Sequence, residues 1–234
     1  MTTPFMFPAT AMPDWPWVCP WGTLEPHAYD LVMIDPPWRF INYSEKGMAK
    51  GPDYKTMSLD EIKALRVREL LRPDAVVMLW ATAPMLDQAF AALAAWGLPY
   101  TTELCWNKST VNDCDGFGYG YRARSAHEPV LLSVIGEPQT SKAHRSTFRG
   151  LARQHSRKPE IAYTWAESYI KRPTKGDPIR RADVFSRQIR PGWDAWGDEV
   201  SKFEGAECVE GGVPSRAAGS PQGESPATTQ EMAL

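Results

Sequence analysis

The residues Tyr29-Asp30-Leu31-Val32-Met33-Ile34 form a near-continuous apolar run that stops abruptly at Asp35-Pro36-Pro37-Trp38. A strand with one wet face alternates apolar and polar residues, whereas one buried on both faces does not. Strands of the second kind belong to parallel sheets covered by helices on both sides. Consecutive prolines cannot continue a central ladder, so the chain must turn at Pro36. An acid therefore stands at the carboxyl end of a buried strand, which is where open α/β sheets bind their ligands.

The rest of the chain repeats the alternation. Ser58-Leu59-Asp60-Glu61 is a capping box, and it opens a helix expected to run to about residue 71. A buried strand over 75–82 follows, then an amphipathic helix over 84–96 that stops at Gly97. Strands are expected over 100–106, 129–135 and 182–186, and a helix over 159–170 that begins at a helix-compatible proline. Between them lie a glycine-rich loop over 107–125 and a long basic connection over 136–157. This order predicts a mostly parallel, doubly wound α/β sheet. Residues 1–28 read as an irregular N-terminal arm, 29–203 as the domain, and 204–234, poor in apolar residues, as a disordered tail.

A length of 234 residues suits one such domain with tails. The four cysteines (Cys19, Cys105, Cys114, Cys208) show no paired spacing, which argues against a structural zinc site or a disulfide framework. No apolar run reaches membrane-spanning length and no signal peptide is recognisable, so a soluble, cytoplasmic protein is expected. The formal charge of −2 hides an asymmetry: residues 142–190 hold thirteen Lys and Arg against four acids. Such a run is either a solvated face or a phosphate-facing surface, and the phosphate reading is favoured here. The ten tryptophans serve either core packing or stacking on flat ligands.

The Asp-Pro-Pro-Trp turn carries the chemistry. Two prolines stiffen the turn and supply no backbone donors, so their carbonyls can project as acceptors. A carboxylate beside a fixed carbonyl makes a receptor for an amine with two N–H groups, and the following aromatic can stack on a ring. Adenine's exocyclic amine is a poor nucleophile because its lone pair is conjugated. Two acceptors on its hydrogens favour pyramidalisation and stabilise charge developing on nitrogen. The plain alternative is an Asp N-cap in a proline-rich turn.

The motif does not stand alone. Together with Tyr54-Lys55-Thr56-Met57-Ser58, Leu79-Trp80-Ala81-Thr82, Trp106-Asn107-Lys108, His127-Glu128, His155-Ser156-Arg157-Lys158-Pro159-Glu160, Val184-Phe185-Ser186-Arg187 and Gly192-Trp193-Asp194-Ala195-Trp196-Gly197, it resembles the adenine-N6 methyltransferase family. That family includes the catalytic subunit of the eukaryotic mRNA adenosine methyltransferase. The chain is closer still to bacterial and phage adenine-specific DNA methyltransferases. The resemblance implies a Rossmann-like, S-adenosylmethionine-dependent fold and assigns roles. Asp35, Pro36, Pro37 and Trp38 form the catalytic loop, with Asp35 and Pro36 on the target amine and Trp38 lining the adenine pocket. Lys158 contacts the charged amino-acid part of S-adenosylmethionine, Asp183 its ribose, and Arg187 stands beside them. Asp198 and Glu199 lie near the adenosine moiety, and Tyr54, Lys55, Trp106 and Lys108 stand on the substrate side. The family usually has Glu where Asp183 stands and Asn where Asp198 stands. No G-x-G-x-x-G fingerprint occurs, in keeping with a cofactor that has no pyrophosphate.

Nucleic acid is the implied partner, DNA ahead of RNA. A base must leave its stack to be methylated, and the 46–55 segment either closes over it or is a solvated loop. His127 and His155 lack a nucleophile or metal-ligand companion and read as structural or pocket-lining. A silent nucleic-acid-binding subunit and methylation of cytosine or of a small-molecule amine are the competing readings.

Overall fold

The computed structural model describes residues 21–39, 54–118, 122–154, 157–171 and 178–203. The arm before residue 21, the tail after 203, the 46–53 stretch and His155 therefore lie outside the described residues. Among the described residues seven strands form one sheet: β1 (Tyr29–Ile34), β2 (Leu71–Trp80), β3 (Tyr100–Ser109), β4 (His127–Ile135), β5 (Thr147–Leu151), β6 (Arg181–Val184) and β7 (Asp194–Trp196). Their order is β5-β3-β4-β2-β1-β6-β7. Only β4 is reversed: it pairs antiparallel with β2 and β3, while β1–β2, β1–β6, β3–β5 and β6–β7 are parallel. The expected mostly parallel α/β sheet is what the chain builds.

Three α-helices cover it: α1 (Leu59–Lys63), α2 (Leu86–Ala95) and α3 (Glu160–Tyr169). On one face Val32, Ile34, Val77 and Leu79 pack with Ile62 of α1 and with Ala89, Ala92 and Leu93 of α2. On the other, Leu31, Met33, Val76, Met78 and Trp80 pack with Ala162, Tyr163, Trp165 and Ala166 of α3. Strands β1 and β2 thus serve two cores, which is why their sequences show no alternation.

Three elements differ from the sequence expectation. The capping box at Ser58 is present, with both reciprocal bonds, but α1 ends at Lys63. A 3-10 turn over Val67–Leu70 replaces the remaining helix. The carbonyls of Glu69 and Leu70 instead accept the His27 and Ala28 N–H groups, which begins the pairing of β2 with β1. Strand β5 lies inside the stretch expected to be an irregular basic connection, recruited by its ladder with β3 (Trp106 opposite Phe148). Strand β7, three residues long, forms only because β6 offers it an edge.

The switch in chain direction falls at β1, which has β2 on one side and β6 on the other. The carboxyl ends of β1 and β6 therefore bound a crevice, and each ends near an acid, Asp35 and Asp183.

Candidate active site

Asp35 leaves β1 with its N–H donated to Val184 O of β6 at 3.2 Å. Pro36 O accepts the Trp38 N–H at 2.8 Å, and Pro37 O accepts the Met57 N–H at 2.8 Å. The turn is thus held at both prolines, and each carbonyl keeps a second lone pair. Trp38 is buried, and its indole N–H donates to Trp80 O at 3.1 Å. It fastens the turn to the end of β2.

Beside Asp35 runs a chain of alternating charges. Lys158 Nζ lies 3.0 Å from Asp35 Oδ2 and 3.0 Å from Glu128 Oε2, and Glu128 Oε1 lies 2.7 Å from Lys108 Nζ. The Lys158 ammonium also sits 4.7 Å from the Trp80 ring centre. Two acids and two lysines balance here in a largely dehydrated place, where an unpaired member would be costly. Burial pushes the Asp35 carboxyl above its ordinary value, although Lys158 opposes the shift. Burial works the same way on Glu128, but Lys158 and Lys108 together outweigh it and hold that carboxyl below the usual range. Lys158 is buried too, yet its two acids raise it and keep it charged.

Asp183, near the end of β6, is 5% exposed. Its Oδ2 accepts from Tyr163 Oη at 2.8 Å and Ser186 Oγ at 2.9 Å, and its Oδ1 takes neither bond. Burial pushes this carboxyl up to about 6 against the pull of those two donors. The next turn is unusual: Phe185 has φ of 63°, a left-handed conformation that a bulky residue adopts only when its surroundings force it. Phe185 packs edge-on to Trp196 at 5.2 Å. The strained turn carries Arg187, which ion-pairs with Glu199 and lies 4.6 Å over the Tyr54 ring. Asp198 is exposed beside it.

The 54–57 segment is therefore clipped to both walls of the crevice, through Met57 on Pro37 and Tyr54 on Arg187. Lys55 is exposed, within electrostatic reach of Glu61. Trp106 is buried in the core, and its indole N–H donates to Gly150 O at 2.9 Å. Asp35, Lys158, Asp183 and Arg187 line one small crevice with Tyr163 and Ser186. A wider surface groove lined by Lys63, Arg66, Arg68 and Trp96 lies away from these acids.

Several members of this site are not evident from sequence reasoning. Glu128 stands out only as part of His127-Glu128, and the clue to more is an acid opening an otherwise apolar strand. Tyr163 and Ser186 give no signal of their own. Part of the basic stretch is engaged within the chain. Arg149, Arg153, Lys158, Arg180, Arg187 and Arg190 are all engaged with acids of this chain. Lys142 and Arg145 are exposed, as is His127.

A doubly wound sheet with an acid-proline turn at its switch point and a second acid on the neighbouring strand is the layout of a Rossmann-like methyltransferase. The chain belongs to the MT-A70 family, whose model matches residues 29–199. MT-A70 methyltransferases use S-adenosylmethionine as methyl donor. Among its relatives, the N6-methyladenosine RNA methyltransferase MTA1 of Cryphonectria parasitica is 27% identical over 78% of this chain and 55% of its own length. The N(6)-adenine-specific methyltransferase METTL4 of Homo sapiens is 24% identical over 75% of the chain and 38% of its own length. The Type II methyltransferase M.MunI of a Mycoplasma species is 25% identical over 74% of the chain and 78% of its own length. The chain thus spans about half the length, or less, of the first two and most of the third. No described helix is long and apolar enough to cross a membrane.

Proposed function

We propose that this chain methylates the exocyclic N6 amine of adenine in DNA, using S-adenosylmethionine. The observation that carries the proposal is the Asp35 carboxylate beside the Pro36 carbonyl at the carboxyl end of β1, facing the crevice that Asp183 bounds. Asp35 and Pro36 O accept the two N–H groups of the amine and draw its lone pair out of the ring. The raised Asp35 carboxyl is suited to relieve the amine of a proton as nitrogen becomes alkylated. Lys158, held by Glu128, opposes that rise and keeps Asp35 in place.

The donor set fits the cofactor. Asp183 and Glu199 suit hydroxyl and ammonium groups, and Lys158 and Arg187 suit a carboxylate, all of which S-adenosylmethionine carries. When bound, it supplies a methyl group on a positively charged sulfur that leaves as a neutral thioether. Lys158, Asp183, Arg187, Asp198 and Glu199 are the residues assigned to hold it. Tyr54, Lys55 and Lys108 are assigned to the substrate side.

The match over most of a Type II methyltransferase's length supports DNA as the substrate. The named RNA methyltransferase among the relatives supports RNA as the second reading. Transfer of tritiated methyl to unmethylated DNA and to RNA, with nucleoside analysis, tests both. N6-methyladenine in DNA is the expected product, and label in RNA alone would replace the substrate while keeping the chemistry. Asp35→Ala is expected to lower turnover by about 10²–10³-fold while S-adenosylmethionine still binds. Full activity in that variant would sink the mechanism.

A further inference from the structure

The described parts of the chain between β3 and β4, residues 110–118 and 122–126, are held by several bonds. Beyond β3, Ser109 and Asp115 form a bridge, Gly116 N–H donates to Lys108 O at 2.9 Å, and Gly118 N–H donates to Ser125 O at 2.7 Å. Lys108 N–H in turn donates to Ala126 O at 2.9 Å. A Cβ on Gly116 would come within 3.3 Å of Lys108 Cβ, so glycine there lets the arm lie directly on Lys108. Arg149 of β5 clamps the arm from the side through Asp113 and Asp115, at 3.1 and 2.6 Å, and so offsets its two acids.

On this braced arm stands Phe117, 63% exposed. The guanidinium of Arg124 lies over its ring, 4.7 Å from the centre, so a positive charge accompanies the exposed aromatic surface. The location matters as much as the chemistry. Phe117 follows Gly116, which is bonded to Lys108, and Lys108 is joined through Glu128 and Lys158 to Asp35. The arm that carries Phe117 is thus joined, through Lys108, to the ion-pair series that ends at Asp35.

We propose that Phe117, with Arg124, is the stacking platform for a nucleobase next to the target adenine, with the Arg124 charge toward the strand's phosphates. This inference rests on the reading of the site as an adenine methyltransferase and deepens it. Extruding an adenine breaks its stacking with its neighbours. An exposed aromatic replaces that stacking, whatever the base, and a neighbouring cation meets the backbone.

The test is methyl transfer to DNA at varied DNA concentration by the wild type, Phe117→Ala, Phe117→Leu and Phe117→Trp, alongside calorimetric binding of S-adenosylmethionine and thermal unfolding. Phe117→Ala and Phe117→Leu are expected to raise KM for DNA about tenfold. Phe117→Trp should retain the wild-type KM, and cofactor affinity and Tm should stay unchanged in all three. A Leu variant that equals the wild type would show that bulk rather than stacking matters and would overturn the proposal, as would an Ala variant with unaltered KM. If the wild type transferred no methyl to either nucleic acid, the methyltransferase reading itself would fall, and the platform with it. Transfer to RNA alone, with the same variant pattern, would support the platform and place it on an RNA strand.

Discussion

Asp183 shows how one buried residue couples the site to stability. Its carboxyl is pushed up to about 6 by burial, so the folded chain holds a proton there that the unfolded chain releases near pH 4. Between those values the folded state binds more protons, and its stability falls as pH rises, by about 3 kcal/mol over the whole interval. Above pH 6 that contribution is gone. Asp183→Asn keeps an oxygen for Tyr163 and Ser186 but cannot ionise. Its denaturation midpoint is therefore expected to lose this decline between pH 4 and 6. A variant whose pH profile matches the wild type would place the decline on another group. The residues legible in the sequence at this scale are those whose chemistry is local. Asp35 announces itself because two prolines follow it, whereas Asp183 is marked only by the family resemblance around Val184-Phe185-Ser186-Arg187. Glu128 and Tyr163 do not announce themselves, since their partners lie 30 and 20 residues away.

Among the elements, the turn after β6 depends on how closely β7 approaches it. Ser186 N–H donates to Trp196 O at 2.9 Å, and a Cβ on Gly197 would lie 2.8 Å from Ser186 O and 3.0 Å from Ser186 N. Those neighbours are backbone and cannot rotate away. Gly197→Ala is expected to cost about 1–3 kcal/mol in urea denaturation. It should also weaken S-adenosylmethionine binding, because Arg187 rides on the same turn. An unchanged midpoint would mean that β7 can shift freely. The short elements are the ones that escaped a sequence reading. Helix α1 stops at Lys63, and the chain beyond it turns to bring the Glu69 and Leu70 carbonyls onto the 27–28 backbone, a long-range pairing that no local pattern shows. Strands β5 and β7 are edges whose existence depends on a neighbour already in place. The strands buried on both faces were readable because burial itself sets their composition.

For the molecule as a whole, β1 and β2 lie at the centre of both cores. Neither helical layer can separate without exposing apolar surface of the same two strands. Unfolding in urea is accordingly expected as one transition, with tryptophan fluorescence and far-ultraviolet circular dichroism coincident. Two separated transitions would show that the layers are independent. The charge pattern also resolves only at this scale. The excess of positive charge over 142–190 meets acids drawn from 25, 35, 113, 115, 128, 194 and 199, so much of it braces the fold and the site. By itself the sequence determined the two-faced strands, the capped start of α1 and the acid-proline turn, because each rests on residues adjacent in the chain. Only the tertiary structure decided the order of the strands, the reversal of β4 and the Asp35–Lys158–Glu128–Lys108 chain. Each of those is a pairing between distant segments, and its free energy exists only once both partners have left water together.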